Sequence, residues 1–511
     1  MSYIKFRDFM NKFAVNLITW ISLLICFTLS LMSLLSTAVF EKGKVETILY
    51  KAENIPFLIL CSVIFLVLLY MAYHLISWNE KTIKILKIVM IVYTILLGAI
   101  WVFSTQSLPF ADGEIVDQAT TKFAHGDFSL IEKGQYFDKF PFQLNLVFVF
   151  HLIYQIVGYH NYIALQLLNI LCLAGTYYYM QKTMNLLFKN IVYDGMLMIL
   201  FILCLPALLY CSFIYSTMYG LFLSTLAFYY GLCYIKTRNY LYFIPVVLAI
   251  SLAIMLKSNF LITLVALACI LIMDFINHKK FSSIVLIILM LIVQGIPTKL
   301  IKGYYEDISN MDIGKGIPTI AWIGMGMHEG NKASGWYNSF MFDAYKEAGY
   351  DSDITKQFCI QGIKKRLNEF KANPSEFFRF YQRKINSQWN EPTYESLWVS
   401  EHRKGMHAIP LSKPIKSLYH GDLHEVYVQY TNTYQFVIVL FSGLGIWFLR
   451  KRFTYMQLSL GVLMIGGFLF HMIWEGNSKY ILPYFLLLIP YASIGLCNIF
   501  NFIKKKETAK C

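Results

Sequence analysis

Long apolar runs separated by short polar segments make up most of the chain. The runs are roughly 17 to 26 residues long, the length that a helix needs to cross about 30 Å of hydrocarbon. The pattern predicts an all-α polytopic membrane protein with about twelve transmembrane helices. The predicted spans are 13–38, 55–77, 86–104, 161–185, 191–211, 218–235, 240–256, 260–276, 281–297, 432–449, 455–473 and 481–502.

The segment 142–158 is ambiguous, because it is apolar but short and contains Gln143, His151 and Gln155. If it were a span, the later clusters of Lys and Arg would lie outside the membrane. The positive-inside bias therefore predicts an amphipathic helix along the outer interface. Both termini are then cytoplasmic, and the polar regions that flank the central spans are external.

This topology divides the chain into four expected regions. They are an N-terminal transmembrane hairpin (1–83), a transmembrane core (84–297) with an external loop at 105–141, an external cap (298–431) and C-terminal transmembrane helices (432–511). Within the cap, helical spacing predicts helices at 353–372 and 374–389. The Gly- and aromatic-rich stretch 318–338 is predicted to be a loop.

Composition agrees with a membrane protein, since 57% of residues are hydrophobic and 14% are charged. A typical soluble protein has about 25% charged residues. The net charge of +14 is carried by short basic clusters between apolar runs. Clusters placed in this way set topology, so no nucleic-acid partner is expected. The cysteines form no disulfide framework, and the first apolar run is too long for a signal peptide.

Candidate chemistry begins at the acidic cluster Asp112, Glu114 and Asp117, just after the third predicted span. A carboxylate held at the membrane surface can act as a general base toward a hydroxyl group. The alternative is a solvated acidic loop, which spacing alone favours. Lys139, at the start of the interfacial segment, could bind a lipid-linked phosphate or anchor the chain to headgroups.

Two later positions are also candidates. Lys257 lies between two short spans, where a buried charge is costly and therefore a functional candidate, although its side chain could instead extend to the headgroups. The last external turn brings together Glu475, Lys479 and Tyr480, a set that an ordinary tight loop would also accommodate.

Several common motifs are excluded. The glycines of IGMGMHEG (323–330) lack the strand–turn–helix setting of a dinucleotide site. No zinc-ligand spacing, P-loop or GxSxG motif occurs in the chain.

The order of these elements resembles the GT-C class of glycosyltransferases, and specifically the branch of protein mannosyltransferases and lipid A aminoarabinose transferases. The resemblance covers most of residues 84–500, and the first two helices look like an N-terminal addition. The elements that carry it are ADGE at 111–114, Y-x-x-K-x-P at 136–141, the interfacial helix, the lysine between short central helices and E-x-x-x-K-Y-x-x-P at 475–483.

The resemblance implies a sugar donor linked to polyprenyl phosphate, an external active site and inversion at the anomeric carbon. It implies Asp112 as the base, with Glu114 as neighbouring support. Lysine side chains would stabilise the phosphate leaving group. The expected substrate-binding residues are Lys139, Gln143, Lys257, Glu475, Lys479 and Tyr480.

One departure from the family pattern concerns a second carboxylate. Many relatives have one in the next external loop, but this chain has none in CSFIYSTMYG (211–220). The departure counts against metal dependence and against a two-acid mechanism, so no cofactor is assigned, and a divalent metal is kept as the alternative.

The expected function is transfer of a sugar from a polyprenyl-phosphate carrier to an extracytoplasmic acceptor at the cell membrane. The acceptor could be a cell-wall glycan, a teichoic acid or a lipid. The alternatives are a protein O-glycosyltransferase of the same fold, a transporter or flippase of lipid-linked glycans, and a receptor-like membrane protein. The external cap and the acidic loop favour an enzyme.

Overall fold

A computed structural model describes residues 3–41, 46–403 and 410–508 of the chain. The elements before the cap are α1 (Tyr3–Leu35), β1 (Ser36–Phe40), β2 (Ile48–Ala52), α2 (Ile55–Leu75), α3 (Glu80–Thr105), α4 (Asp112–Ala124), α5 (Tyr136–Lys139), α6 (Leu144–Val157), α7 (Tyr162–Phe188), α8 (Ile191–Leu203), α9 (Leu205–Leu209), α10 (Thr217–Thr237), α11 (Phe243–Leu256), α12 (Leu261–His278), α13 (Phe281–Val293) and α14 (Ile296–Ser309). The cap contains α15 (Ile320–Gly326), α16 (Phe340–Glu347), α17 (Ser352–Ala372), α18 (Pro374–Trp389) and α19 (Lys413–His420). The C-terminal elements are α20 (Asp422–Leu449), α21 (Ser459–Ile473), α22 (Leu482–Leu486) and α23 (Ile489–Thr508).

The helices confirm the polytopic membrane fold. In the described parts of the chain, nine helices are long and apolar enough to cross a membrane, or eleven if each of two bent pairs is one span. Only 17% of the apolar window of α2 is buried inside the protein. A broad exposed apolar surface of this kind suits contact with lipid rather than water.

The first predicted span, 13–38, has the wrong limits. The helix α1 begins at Tyr3 and ends at Leu35, and the residues after it form β1, which pairs antiparallel with β2 so that Ser36 lies opposite Ala52. The sequence STAVF of β1 continues the apolar run, so hydropathy alone does not separate helix from strand. This hairpin is the one exception to the predicted all-α fold among the described residues.

The predicted cap helices are confirmed by α17 and α18. The start of α18 is marked by an N-cap and a proline. The Asn373 side chain accepts a hydrogen bond from the Glu376 backbone N–H, and Pro374 occupies the first turn. The stretch 318–338 is mostly irregular as predicted, except that it contains α15.

The predicted interfacial segment forms a helix, α6. It packs against α4 and α14, and the Asn145 side chain donates hydrogen bonds to the Met255 carbonyl at 2.9 Å and the Thr298 hydroxyl at 3.0 Å. These contacts fix the start of α6 against the end of α11. The interfacial position of α6, the four regions and the sidedness of the termini stay predictions.

Candidate functional site

The site is built around Asp112, the first residue of α4. The preceding residue, Ala111, has a φ of +48°, a left-handed backbone value that is unfavourable for alanine. At Gly113 a Cβ atom would lie 2.8 Å from the Ile214 carbonyl oxygen, so α4 approaches the loop after α9 closely. A carboxylate at a helix N-terminus is stabilised by the helix dipole.

The surroundings of Asp112 are crowded but reach solvent. Its side chain has accessible surface, while protein atoms enclose it on the other sides, and this burial raises the pKa of its carboxyl. The Tyr136 hydroxyl acts in the opposite direction and lowers that pKa. This hydroxyl is buried and lies near the Asp112 carboxyl outside regular hydrogen-bond geometry, and no other described group is its hydrogen-bond partner. Tyr136 belongs to the Y-x-x-K-x-P element, so two of the predicted elements meet here.

Lys479 supplies the strongest positive charge near Asp112. Its Nζ lies 3.0 Å from Glu395 Oε2 and 2.9 Å from Glu46 Oε1. Glu46 also pairs with Lys332 through its other oxygen, so the four side chains form an ion-pair chain in the order Glu395, Lys479, Glu46 and Lys332. Buried charges of this kind are retained only when they are paired.

The two carboxyls of this chain titrate in opposite directions. Burial disfavours the charged form of Glu46, but Lys479 and Lys332 outweigh it and lower its pKa to about 2. Burial raises the pKa of Glu395 to about 7, with Lys479 opposing the shift. Glu46 is therefore firmly anionic, whereas Glu395 is close to gaining a proton at neutral pH.

Glu475 lies in the same region and is 9% exposed. Burial raises the pKa of its carboxyl to about 7, and the negative charge of Asp112 raises it further, while Lys479 opposes. Its carboxylate makes no hydrogen bond or ion pair within the parts of the chain that the structure describes. The sequence contains no second acid in 211–220, but the fold brings Glu475 near Asp112 as a second carboxylate.

The backbone around Glu475 is held by the cap. The Gly476 N–H donates to the Gly335 carbonyl at 2.7 Å, and Lys384 Nζ donates to the Trp474 carbonyl at 2.7 Å. Lys384 also donates to the Gly326 carbonyl. Gly326 therefore serves close packing between the cap and the turn that carries Glu475, since a Cβ atom there would lie 2.5 Å from the Trp474 backbone.

Lys257 approaches this cluster from the end of α11. Its Nζ donates to Thr217 Oγ1 at 3.0 Å and lies 4.6 Å from the centre of the Tyr480 ring. Burial lowers the pKa of Lys257 to about 7, and the charge of Lys479 lowers it further. Gln143 is close by, since it is buried and donates to the Tyr215 hydroxyl, whose ring lies 5.9 Å from Lys257 Nζ.

Lys139 and Glu114 are the remaining predicted site residues. The structure records no ion pair or hydrogen bond for the Lys139 ammonium within the described residues, although its carbonyl accepts from Ile317 N–H at 3.0 Å. Glu114 lies two residues after Asp112 on α4 and lines a cavity of about 680 Å³, whose Trp398 ring centre is 5.8 Å from Lys479 Nζ. That cavity also contains Asp117, whose carboxylate accepts from the Tyr154 hydroxyl at 2.5 Å and the Tyr162 hydroxyl at 2.8 Å.

Sequence reasoning missed four residues of the site: Glu46, Lys332, Glu395 and Tyr136. Only Tyr136 had a local signal, because it opens the Y-x-x-K-x-P element. Among the described residues, no group of three or more His, Cys, Asp or Glu side chains is placed to hold a metal ion.

Comparisons with known proteins add little to this geometry. No protein-family model and no curated protein matches the chain. A search of solved structures finds ArnT from Cupriavidus metallidurans, whose crystal structure is bound to undecaprenyl phosphate. That match has 14% sequence identity and a TM-score of 0.33, and covers 80% of this chain and 77% of ArnT.

Proposed function

We propose that the chain is a membrane glycosyltransferase that moves a sugar from a polyprenyl-phosphate carrier to an extracytoplasmic acceptor, with inversion at the anomeric carbon. The observation that carries the proposal is one accessible carboxylate, Asp112, beside the buried lysines Lys479 and Lys257. A base next to preorganised cations is what transfer from a phosphate leaving group requires. The motif order of the sequence supports the same reaction.

The reaction proceeds in one displacement. Asp112 accepts the proton of an acceptor hydroxyl, and the hydroxyl oxygen forms a bond to the anomeric carbon on the face opposite the phosphate. The bond between that carbon and the phosphate oxygen breaks, and its electron pair stays on the phosphate. Lys479 and Lys257 stabilise the negative charge that develops there, which is a larger effect in a poorly hydrated site than in water.

The cavity that Glu114 lines supports an acceptor site beside the ion-pair chain, because the centre of its Trp398 ring lies 5.8 Å from Lys479 Nζ. Its volume of about 680 Å³ lies in the range of small-molecule sites, which is roughly 300 to 1,000 Å³. Phe110, Trp398 and Tyr419 line it together with carboxylates and histidines. Aromatic faces and hydrogen-bonding rims suit a carbohydrate or another hydroxyl-bearing acceptor.

The test uses purified protein in lipid nanodiscs with a panel of polyprenyl-phosphate sugars. Release of the free carrier phosphate is measured with a glycan, a lipid and a peptide acceptor in separate arms. Release in one arm, and its loss in the Asp112→Asn variant, is the expected result. Carrier movement across the bilayer without cleavage in every arm would instead identify a flippase.

A further inference from the structure

The hairpin of β1 and β2 reaches the site through one side chain, Glu46. Its carboxylate bridges Lys479 and Lys332, one oxygen to each ammonium. The side chain is only 10% exposed. The region that looks like an addition to the family therefore supplies an anion to the very lysine that the proposed reaction needs.

Glu46 has an unfavourable backbone conformation. Its φ is +40°, a left-handed value at which a side chain with a Cβ is strained. The flanking strands are tied to the cap, because Ile48 N–H donates to the Lys332 carbonyl and Ala38 N–H donates to the Asn390 carbonyl, both at 3.1 Å. A strained residue at a functional site indicates that the contact it makes is worth the strain.

The charges around Glu46 oppose the entry of an anionic donor. The cluster contains the carboxyls of Asp112, Glu46, Glu395 and Glu475 and the ammonium groups of Lys257, Lys332 and Lys479. Glu395 and Glu475 can take up a proton near neutral pH, but Glu46 stays anionic and pairs with both Lys332 and Lys479. A phosphate that enters a poorly hydrated site needs unpaired cations, so Glu46 must leave these lysines.

Glu46 is the carboxylate best placed to leave. Glu395 is fully buried and bonded to Ser478, and Asp112 is needed as the base. Glu46 comes from a hairpin at the edge of the site, and both of its oxygens bind lysines that face the Asp112 region. Its position between two ammonium groups is the geometry in which a phosphate would bind.

We propose that Lys332 and Lys479 form the donor-phosphate site and that Glu46 is its built-in competitor, which the phosphate displaces. This inference rests on the proposed function, because it assumes a phosphate-linked donor. Lys332 becomes a further donor-binding residue. The β1–β2 hairpin then determines ligand selectivity, because a ligand without an anionic group cannot displace Glu46 from the two lysines.

The test is equilibrium binding of a sugar-free polyprenyl phosphate to the full chain in nanodiscs of neutral lipid. Glu46→Gln removes the competing charge and should bind the phosphate about tenfold more tightly, because charged hydrogen bonds of this kind are worth roughly a factor of ten. Lys332→Gln should bind it about tenfold more weakly for the same reason. Lys51→Gln, on the exposed face of β2, is the matched control and should leave affinity unchanged.

The outcomes separate the two proposals. Wild-type binding that is unchanged or weakened in Glu46→Gln overturns the competitor role and leaves the proposed function intact. Failure of both proteins to bind, with the thermal melting of both preserved, overturns the phosphate-linked donor and this inference with it. If Glu46→Gln does not fold, Glu46→Asp provides the same test. The shorter Asp carboxylate should compete less strongly for the two lysines, so the affinity for polyprenyl phosphate should rise by less than tenfold.

Discussion

The Lys257 ammonium lies 4.6 Å from the centre of the Tyr480 ring, which connects the end of α11 to the turn between α21 and α22. A cation over an aromatic face is stabilised without forming an ion pair with a carboxylate. Thr217 holds the same ammonium from α10 at 3.0 Å. When it is protonated, Lys257 therefore carries a positive charge that no carboxylate pairs with among the described residues, in contrast to Lys479, which is paired twice.

Lys257 should make donor binding depend on pH. Burial lowers its pKa to about 7, and an arriving phosphodiester stabilises the protonated form, so binding takes up a proton. Donor affinity should be highest below pH 7 and should fall as pH rises through about 7. Calorimetric titration in buffers of different ionisation enthalpy measures this uptake.

Lys257→Met should weaken donor binding about tenfold and reduce its pH dependence, because one charge-assisted contact is lost. The remaining pH dependence comes from Glu395 and Glu475, since burial raises the pKa of each to about 7. Lys299→Met, on the exposed surface of α14, is the matched control. An equally steep pH dependence in Lys257→Met would show that Lys257 does not take up the proton.

Asp112→Asn should abolish sugar transfer while the protein stays folded and inserted. General-base catalysis contributes roughly 100-fold to 10,000-fold to a rate, and an amide cannot accept the proton. Glu132→Gln, which alters an exposed acid between α4 and α5, should transfer sugar at the wild-type rate. The measurement is the initial rate of carrier release together with the melting temperature. Transfer by Asp112→Asn at the wild-type rate would exclude Asp112 as the base.

Tyr136→Phe should move the acid side of the pH–rate profile to higher pH. The Tyr136 hydroxyl lowers the pKa of Asp112, so its removal raises that pKa. The base must be ionised, and activity is lost as pH falls through its pKa, so the loss begins at a higher pH in the variant. Tyr304→Phe, which alters an exposed ring, serves as the control. An unshifted profile would mean that Tyr136 does not act through Asp112.

The parts of the site that follow from local sequence were predictable. Apolar runs located the helices, and short motifs located Asp112, Lys257 and Lys479, which the fold brings into one region. Glu46 was not predictable, because its pairing with Lys479 joins residues 433 positions apart. The pairing also depends on the β1–β2 hairpin, whose first strand continues an apolar run that looks helical. Glu114 was assigned with Asp112 because it is close in sequence. A spacing of two residues places side chains on opposite sides of a helix.

The predicted topology is tested by cysteine labelling. Cys269 is the exposed cysteine among the nine described, so a background that lacks Cys269 and the terminal Cys511 removes the main competing thiols. A cysteine introduced at position 112 should react with an impermeant reagent from outside, and one at 451 only after the cells are opened. Reversed labelling would move the site to the cytoplasmic face and would contradict a donor that is used outside.

Gly326→Ala should damage the site without touching any charged residue. A Cβ atom at this position would lie 2.5 Å from the Trp474 backbone, which precedes Glu475. Relief of such a contact costs about 1 to 3 kcal/mol and moves the turn that carries Glu475 and Lys479. Gly303→Ala is the matched control, because no atom lies within 4 Å of its added Cβ and alanine favours a helix. We expect a lower melting temperature and slower transfer for Gly326→Ala only. Equal activity in the two variants would show that the packing of the cap on this turn does not position the site.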